Sequence, residues 1–334
     1  MAFAEAAYTV TGAANEQFDT GTFRYQYQSF VTPPSVYDLD LASLGSTLLK
    51  RQEVLGGWDG ARYAIERIEA TAGDGARIPV TLLYRRGTPR DGSAPCLLYA
   101  YGSYGMPSNV LFSSPRFSLV DRDVVYALAH VRGGGDLGKR WHDEGRMERK
   151  MNTFTDFLAC AAHLVAERWT ASDRLVIQGG SAGGLLVGAA VNLRPGLFKG
   201  AIALVPFVDV ITTMLDESLP LTVGEFEEWG NPKDPAQHRF MREYSPYDNL
   251  AARDYPAMLV RTSLNDSQVG FWEPAKYVAK LRALKTDANP LLFRCNMGAG
   301  HGGASGRYDA LREMAFDYAW LLATVGLAGE PPAG

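Results

Sequence analysis

The sequence predicts an α/β protein, a mostly parallel, doubly wound sheet covered by helices and preceded by a short β-rich segment. Three observations carry this. Apolar runs of strand length recur from residue 96 onward, helical patterns lie between several of them, and the chain before residue 86 alternates with period two instead. Near-continuous apolar strands belong to a parallel sheet buried on both faces, whereas alternation marks strands with one wet face.

In chain order, "FRYQYQSF" from Phe23 alternates aromatic and polar residues, and "VTPPSVYDLDL" is a turn entering another short strand. "ARYAIERIEATAGDGARIPVTLLYRR" is two β-type runs joined at Asp74-Gly75, a favoured hairpin turn. "GTPRDGSAP" is a loop by composition. Buried strands are then expected at Cys96 to Tyr101, Val124 to Val131, Arg174 to Gln178, Gly200 to Val205, Ala257 to Thr262 and Leu291 to Cys295. Between the second and third, Phe154, Phe157, Leu158, Ala161, Leu164 and Val165 share one face at helical spacing. Residues 1–60 hold too few β signals for a closed domain, so the expected division is 1–60 and 61–334.

Composition narrows the function classes. A chain of 334 residues with 46% hydrophobic content is a globular protein with a sizeable core. A net charge of -4 argues against a general nucleic-acid binder. Cys96, Cys160 and Cys295 are odd in number and widely spaced, neither a disulfide framework nor a metal cluster, and point to a reducing, cytoplasmic setting. The N-terminus lacks a signal-peptide pattern, and no uninterrupted apolar run is long enough to span a membrane. No cofactor is implied.

Chemistry concentrates in "RLVIQGGSAGGLLVGAAV". An apolar strand runs into a glycine-rich turn and then a small-residue helix, and Gly179 and Gly183 flank Ser181 at the spacing of a nucleophile elbow. That pattern identifies an α/β-hydrolase fold. The elbow aims the Ala182 N–H, at the start of the helix, towards a negative oxygen on the nucleophile. A histidine and an acid should follow. His301 lies in the glycine-rich "CNMGAGHGGASG" after the last apolar strand, whereas His238 sits in a polar helical stretch and reads as solvated surface. Asp266 directly follows the penultimate strand, Asp254 precedes it at the wrong end, and Asp209 and Asp216 are weaker rivals. Ser181, Asp266 and His301 are therefore the expected triad. For a second oxyanion donor, "LLYAYGSYGMP" offers Tyr99, Tyr101 and Tyr104, and the residues alone do not choose among them.

Gly133, Gly135 and Gly138 match a dinucleotide fingerprint in spacing, but no amphipathic helix follows at once. His142-Asp143-Glu144 reads as solvated surface rather than a metal site. "TVGEFEEWGNP" gathers Glu225, Glu227 and Glu228 around Phe226 and Trp229, and Thr222 with Glu225 has the spacing of a capping box.

Through "YGSYG", "HVRGGGDLGKRWHDEG", "GGSAGG", "PFVDVITTMLDESLPLTVGEFEEWGNP", "SPYDN", "DSQV" and "GHGG", the chain from about Phe23 to Leu322 resembles the prolyl oligopeptidase family of serine peptidases, and within it the oligopeptidase B branch. The resemblance implies the triad roles above, Tyr101 as side-chain oxyanion donor beside Ala182, and Glu225 and Glu227 as the pocket acids for cleavage after Arg or Lys of short peptides. It also implies a seven-bladed β-propeller before the catalytic domain, of which residues 1–60 match the end of the last blade. The missing propeller or a homo-oligomer is the expected partner. Asn109 and Leu111 stand where that branch carries aspartates, so a weaker dibasic preference follows. The competing expectations are a carboxylesterase of the same fold and an inactive remnant.

Overall fold

The computed structural model describes residues 3–329. Its smaller sheet is an antiparallel meander of β1 (Thr9–Gly12), β2 (Thr22–Gln28), β3 (Ser35–Asp40) and β4 (Ser46–Arg51). The alternation expected in β2 is present: Tyr25 and Tyr27 are buried with Leu39, while Arg24 and Gln26 are exposed. The meander holds more strand than the sequence reading allowed. β1 is too short and β4, with Leu48 and Leu49 side by side, too irregular to show a period.

The larger sheet contains β5 (Tyr63–Thr71), β6 (Arg77–Arg85), β7 (Cys96–Tyr99), β8 (Val125–Ala129), β9 (Leu175–Gly180), β10 (Gly200–Leu204), β11 (Ala257–Ser263) and β12 (Leu291–Asn296), in the order β12-β11-β10-β9-β7-β8-β6-β5. From β12 to β8 all pairings are parallel, and the β5–β6 hairpin adds antiparallel to β8. Its turn is the expected one, with Gly75 at φ 86°. The helices are α1 (Phe117–Val120), α2 (Lys139–Asp143), α3 (Met151–Ala166), α4 (Ala182–Leu193), α5 (Val210–Leu215), α6 (Phe226–Trp229), α7 (Pro235–Tyr244), α8 (Trp272–Leu284) and α9 (Arg307–Thr324).

Successive residues of a strand point to opposite faces, and here both faces are covered. Leu98 and Ile177 pack with Phe154 and Phe157 of α3, Leu185 of α4 and Tyr277 of α8. Leu97 and Val176, their chain neighbours, pack on the other face with Phe117 of α1 and Trp320 and Leu321 of α9. This is an α/β-hydrolase fold. Among the described residues no helix is long and apolar enough to cross a membrane.

Aromatic contacts join the two sheets. Phe30 meets Tyr126 edge-on at 5.5 Å between centroids, and Trp58 stacks on Tyr63 and meets Phe112 and Phe117. The Trp58 indole N–H also donates to the Val31 carbonyl at 3.0 Å.

Candidate active site

Ser181 caps α4 directly after β9, with φ 57° and ψ −120°. A side chain there is strained and persists only if its surroundings fix it. They do: the Ser181 N–H donates to the Leu204 carbonyl at 2.8 Å, and its own carbonyl accepts from Gly184, Leu185 and Phe207. Glycine is required beside it. A Cβ on Gly179 would stand 2.1 Å from the Gly183 carbonyl oxygen, and one on Gly183 2.9 Å from that of Ala100. The turn thus brings the Ala182 amide to the first position of α4, where a helix offers its N–H groups no internal partner.

Asp266 and His301 come from the loops after β11 and β12. Backbone bonds from Leu264 to Asn296 and from Asn265 to Ala299 hold these loops together. His301 Nδ1 lies 2.7 Å and 2.9 Å from the two Asp266 oxygens. Burial alone would raise the Asp266 carboxyl, but the hydrogen bond from His301 and those from the Val269 and Gln268 amides outweigh it and hold it below its ordinary range. An ionised Asp266 can only accept, so Nδ1 carries the proton and Nε2 is left as the acceptor. Ser181 and His301 together line a cavity of about 280 Å³ and a larger one of about 920 Å³. Asp209 is occupied by Lys276, and Asp216 is exposed and bonded to Ser218, so neither rival acid faces His301.

The tyrosines separate by partner. Tyr101 shares the walls of the larger cavity and of the Glu225 cavity with Ser181, and burial foremost, with Glu225 nearby, raises its hydroxyl above the ordinary value. Tyr104 donates instead to Glu225 Oε2 at 3.0 Å. Tyr99 lines the larger cavity.

A third cavity of about 290 Å³ is lined by Ser181, Tyr101, Tyr104, Phe207, Met214 and Glu225, among others. Glu225 Oε2 accepts from Tyr104 and, at 2.7 Å, from the Trp229 indole. Burial pushes the Glu225 carboxyl up, and these hydrogen bonds oppose the shift. Among the described residues its Oε1 has no hydrogen-bond partner. Glu227 is exposed and is not among the residues lining this cavity, its backbone carbonyl accepting from Arg146. Asn109 and Leu111 line the larger cavity.

Two expectations are corrected. Thr222 and Glu225 form no capping box: the Thr222 hydroxyl donates to the Thr213 carbonyl, and Glu225 is taken by Tyr104 and Trp229. His142 is not solvated surface but half-buried, its Nε2 2.6 Å from Glu228. Buried Glu228 and Lys150 form with His142 a cluster that the sequence did not disclose. A carboxylate beside Trp229 was the available signal, and Lys150 offered none.

A second array of the same elements exists elsewhere. Asp136 lies 2.7 Å from His130 Nδ1, and His130 Nε2 lies 2.8 Å from the Thr81 hydroxyl. All three side chains are buried within the sheet and the loop above it.

The prolyl oligopeptidase family profile, peptidase S9, matches residues 111–328. The chain is 50% identical to dipeptidyl aminopeptidase BI of Pseudoxanthomonas mexicana, covering 98% of this chain and 45% of that protein. It is 44% identical to protease 2 of Moraxella lacunata, covering 98% and 47%. Its structure is similar to that of oligopeptidase B from Leishmania major, with a TM-score of 0.93 at 42% identity over 98% of this chain and 46% of that one. The chain thus spans about half the length of the relatives it matches.

Proposed function

Because the chain belongs to the prolyl oligopeptidase family, we propose that it is a serine peptidase hydrolysing short basic peptides on the carboxyl side of Arg or Lys. The observation that carries the reading is that Ser181 lies on the wall of both the cavity holding His301 and the cavity holding Glu225. His301 Nε2 takes the Ser181 proton as Oγ attacks the scissile carbonyl, and Asp266 stabilises the imidazolium. Charge on the carbonyl oxygen is met by the Tyr101 hydroxyl and the Ala182 N–H. Collapse of the tetrahedral species expels the amine, which leaves with the proton from His301. Water, deprotonated by the same nitrogen, then hydrolyses the acyl-enzyme and returns Ser181 to its starting state.

Specificity follows from charge. Glu225 is partly desolvated, so a guanidinium entering its cavity gains a charge-assisted bond worth roughly 1.5–3 kcal/mol, whereas a neutral side chain leaves the carboxylate unpaired. Glu227, exposed nearby, adds a screened attraction worth under about 1 kcal/mol. Asn109 and Leu111 supply no second counter-charge, so dibasic peptides gain little over monobasic ones. The meander of residues 9–51 is read as one blade of a propeller whose other blades would restrict the site to short peptides.

The test is steady-state hydrolysis of matched Arg, Lys, Pro and Phe amides and a p-nitrophenyl ester. Glu225→Gln should lower kcat/KM on the Arg amide by about tenfold to a hundredfold and leave the ester nearly unchanged; Glu227→Gln should do much less. Equal losses of Glu225→Gln on amide and ester would remove the specificity reading. A wild-type preference for the ester with no Arg selectivity would favour a carboxylesterase.

One relative's name, dipeptidyl aminopeptidase, supports a second reading in which dipeptides are released from free N-termini. Blocked and unblocked Xaa-Arg amides separate the two, since release of dipeptides requires the free amine.

A further inference from the structure

The turn from Tyr101 to Gly105 is held by two buried charged side chains that no catalytic step uses. Tyr104 sits at φ 60°, a left-handed conformation unfavourable for any residue with a Cβ. Its backbone N–H donates to Glu228 Oε1 at 2.9 Å, while its hydroxyl donates to Glu225. Both acids ride on the same short helix, α6, and its N-cap, so Tyr104 is gripped at both ends by one element. On the other side of the turn Lys150 donates to the Gly102 carbonyl at 2.7 Å and to the Ser103 hydroxyl at 2.8 Å. Its Nζ is also 3.6 Å from Glu228 and 4.8 Å from the centre of the Trp229 ring. His142 closes the cluster against Glu228 Oε2.

A buried ion pair is a poor source of stability, because desolvation consumes most of the attraction. This one is spent on a single turn, through the Gly102 carbonyl, the Ser103 hydroxyl and the Tyr104 N–H. We propose that Glu228, with Lys150 and His142, is a positioning residue: it fixes the strained turn and so holds the Tyr101 ring in the cavity wall beside Ser181. The proposal rests on the reading of Tyr101 as an oxyanion donor. A second consequence is that the specificity cavity and the oxyanion donor share one support, with the N-cap of α6 supplying the acid for the first and α6 itself the acid for the second.

The test is a double-mutant cycle on p-nitrophenyl ester hydrolysis, which does not depend on the Arg preference. Tyr101→Phe should lower kcat by about a hundredfold. Glu228→Gln, which keeps an acceptor for the Tyr104 N–H but loses the charge, should lower kcat about tenfold with KM within about twofold. In the Tyr101→Phe background it should cost nothing further, because the group it positions is already gone. An equal loss in both backgrounds, or an unchanged kcat, overturns the inference. A Tyr101→Phe enzyme with wild-type kcat would overturn the oxyanion reading, and the inference with it. Should Glu228→Gln fold poorly, His142→Gln removes one leg of the cluster from its exposed side. It should show a smaller loss that again vanishes in the Tyr101→Phe background, and persistence there overturns the inference.

Discussion

Asp266 governs which nitrogen of His301 is free. Its carboxyl is held ionised by the imidazole and two amides, so replacing it by an amide that can donate invites the other tautomer. Asp266→Asn should lower kcat by about four orders of magnitude with a melting temperature close to wild type; a loss of less than about tenfold would deny it that role. At this scale the sequence is informative where chemistry dictates spacing. Gly179, Ser181 and Gly183 are legible because the backbone at the elbow excludes side chains, Asp266 because it follows an apolar strand, and His301 because it lies in the glycine-rich loop after the last one. Tyr101 and Tyr104 share one aromatic and glycine context in the sequence, and what separates them, Ser181 beside one and Glu225 on the other, lies 80 or more residues away. Glu228, His142 and Lys150 come from separate elements, and a contact spanning 124 residues, as between Tyr104 and Glu228, leaves no local pattern.

Elements are joined by a different acid. Glu273 of α8 accepts from the Val208 and Asp209 amides and from the Thr213 hydroxyl, tying α8 to the start of α5. Burial first, with Asp209 nearby, pushes its carboxyl from 4.5 up to about 7. The folded state therefore holds a proton that the unfolded chain releases, and stability falls as pH rises between those two values. The span corresponds to a loss on the order of 3 kcal/mol. Thermal melts from pH 4.5 to 8 should show this decline in the wild type and a flatter profile in Glu273→Gln; parallel curves would exclude it. Element positions were largely legible. The buried strands of the larger sheet lie within a residue or two of their expected ends, and α3 covers the expected apolar face. The meander is less legible because strands exposed on one face and supported mainly by neighbours carry little hydrophobic pattern.

Across the whole molecule, the two sheets share a seam rather than a continuous ladder. Trp58 contributes ring contacts to Tyr63, Phe112 and Phe117 and a hydrogen bond to Val31. Trp58→Ala should cost about 3 kcal/mol, measured by denaturant unfolding. If the sheets were energetically independent, the loss would appear only in the transition of the smaller one. Neither the seam nor its partners are visible in the sequence, since Trp58 lies in a glycine-rich loop.

The buried Thr81, His130 and Asp136 repeat the atomic order of a charge-stabilised nucleophile without a path to it. Electrophilic reagents the size of a fluorophosphonate should consequently attach in one-to-one stoichiometry, and peptide mapping should recover the adduct at Ser181 alone. Under the proposed mechanism, access from solvent and not the order of the atoms alone distinguishes the hydroxyl of Ser181 from that of Thr81.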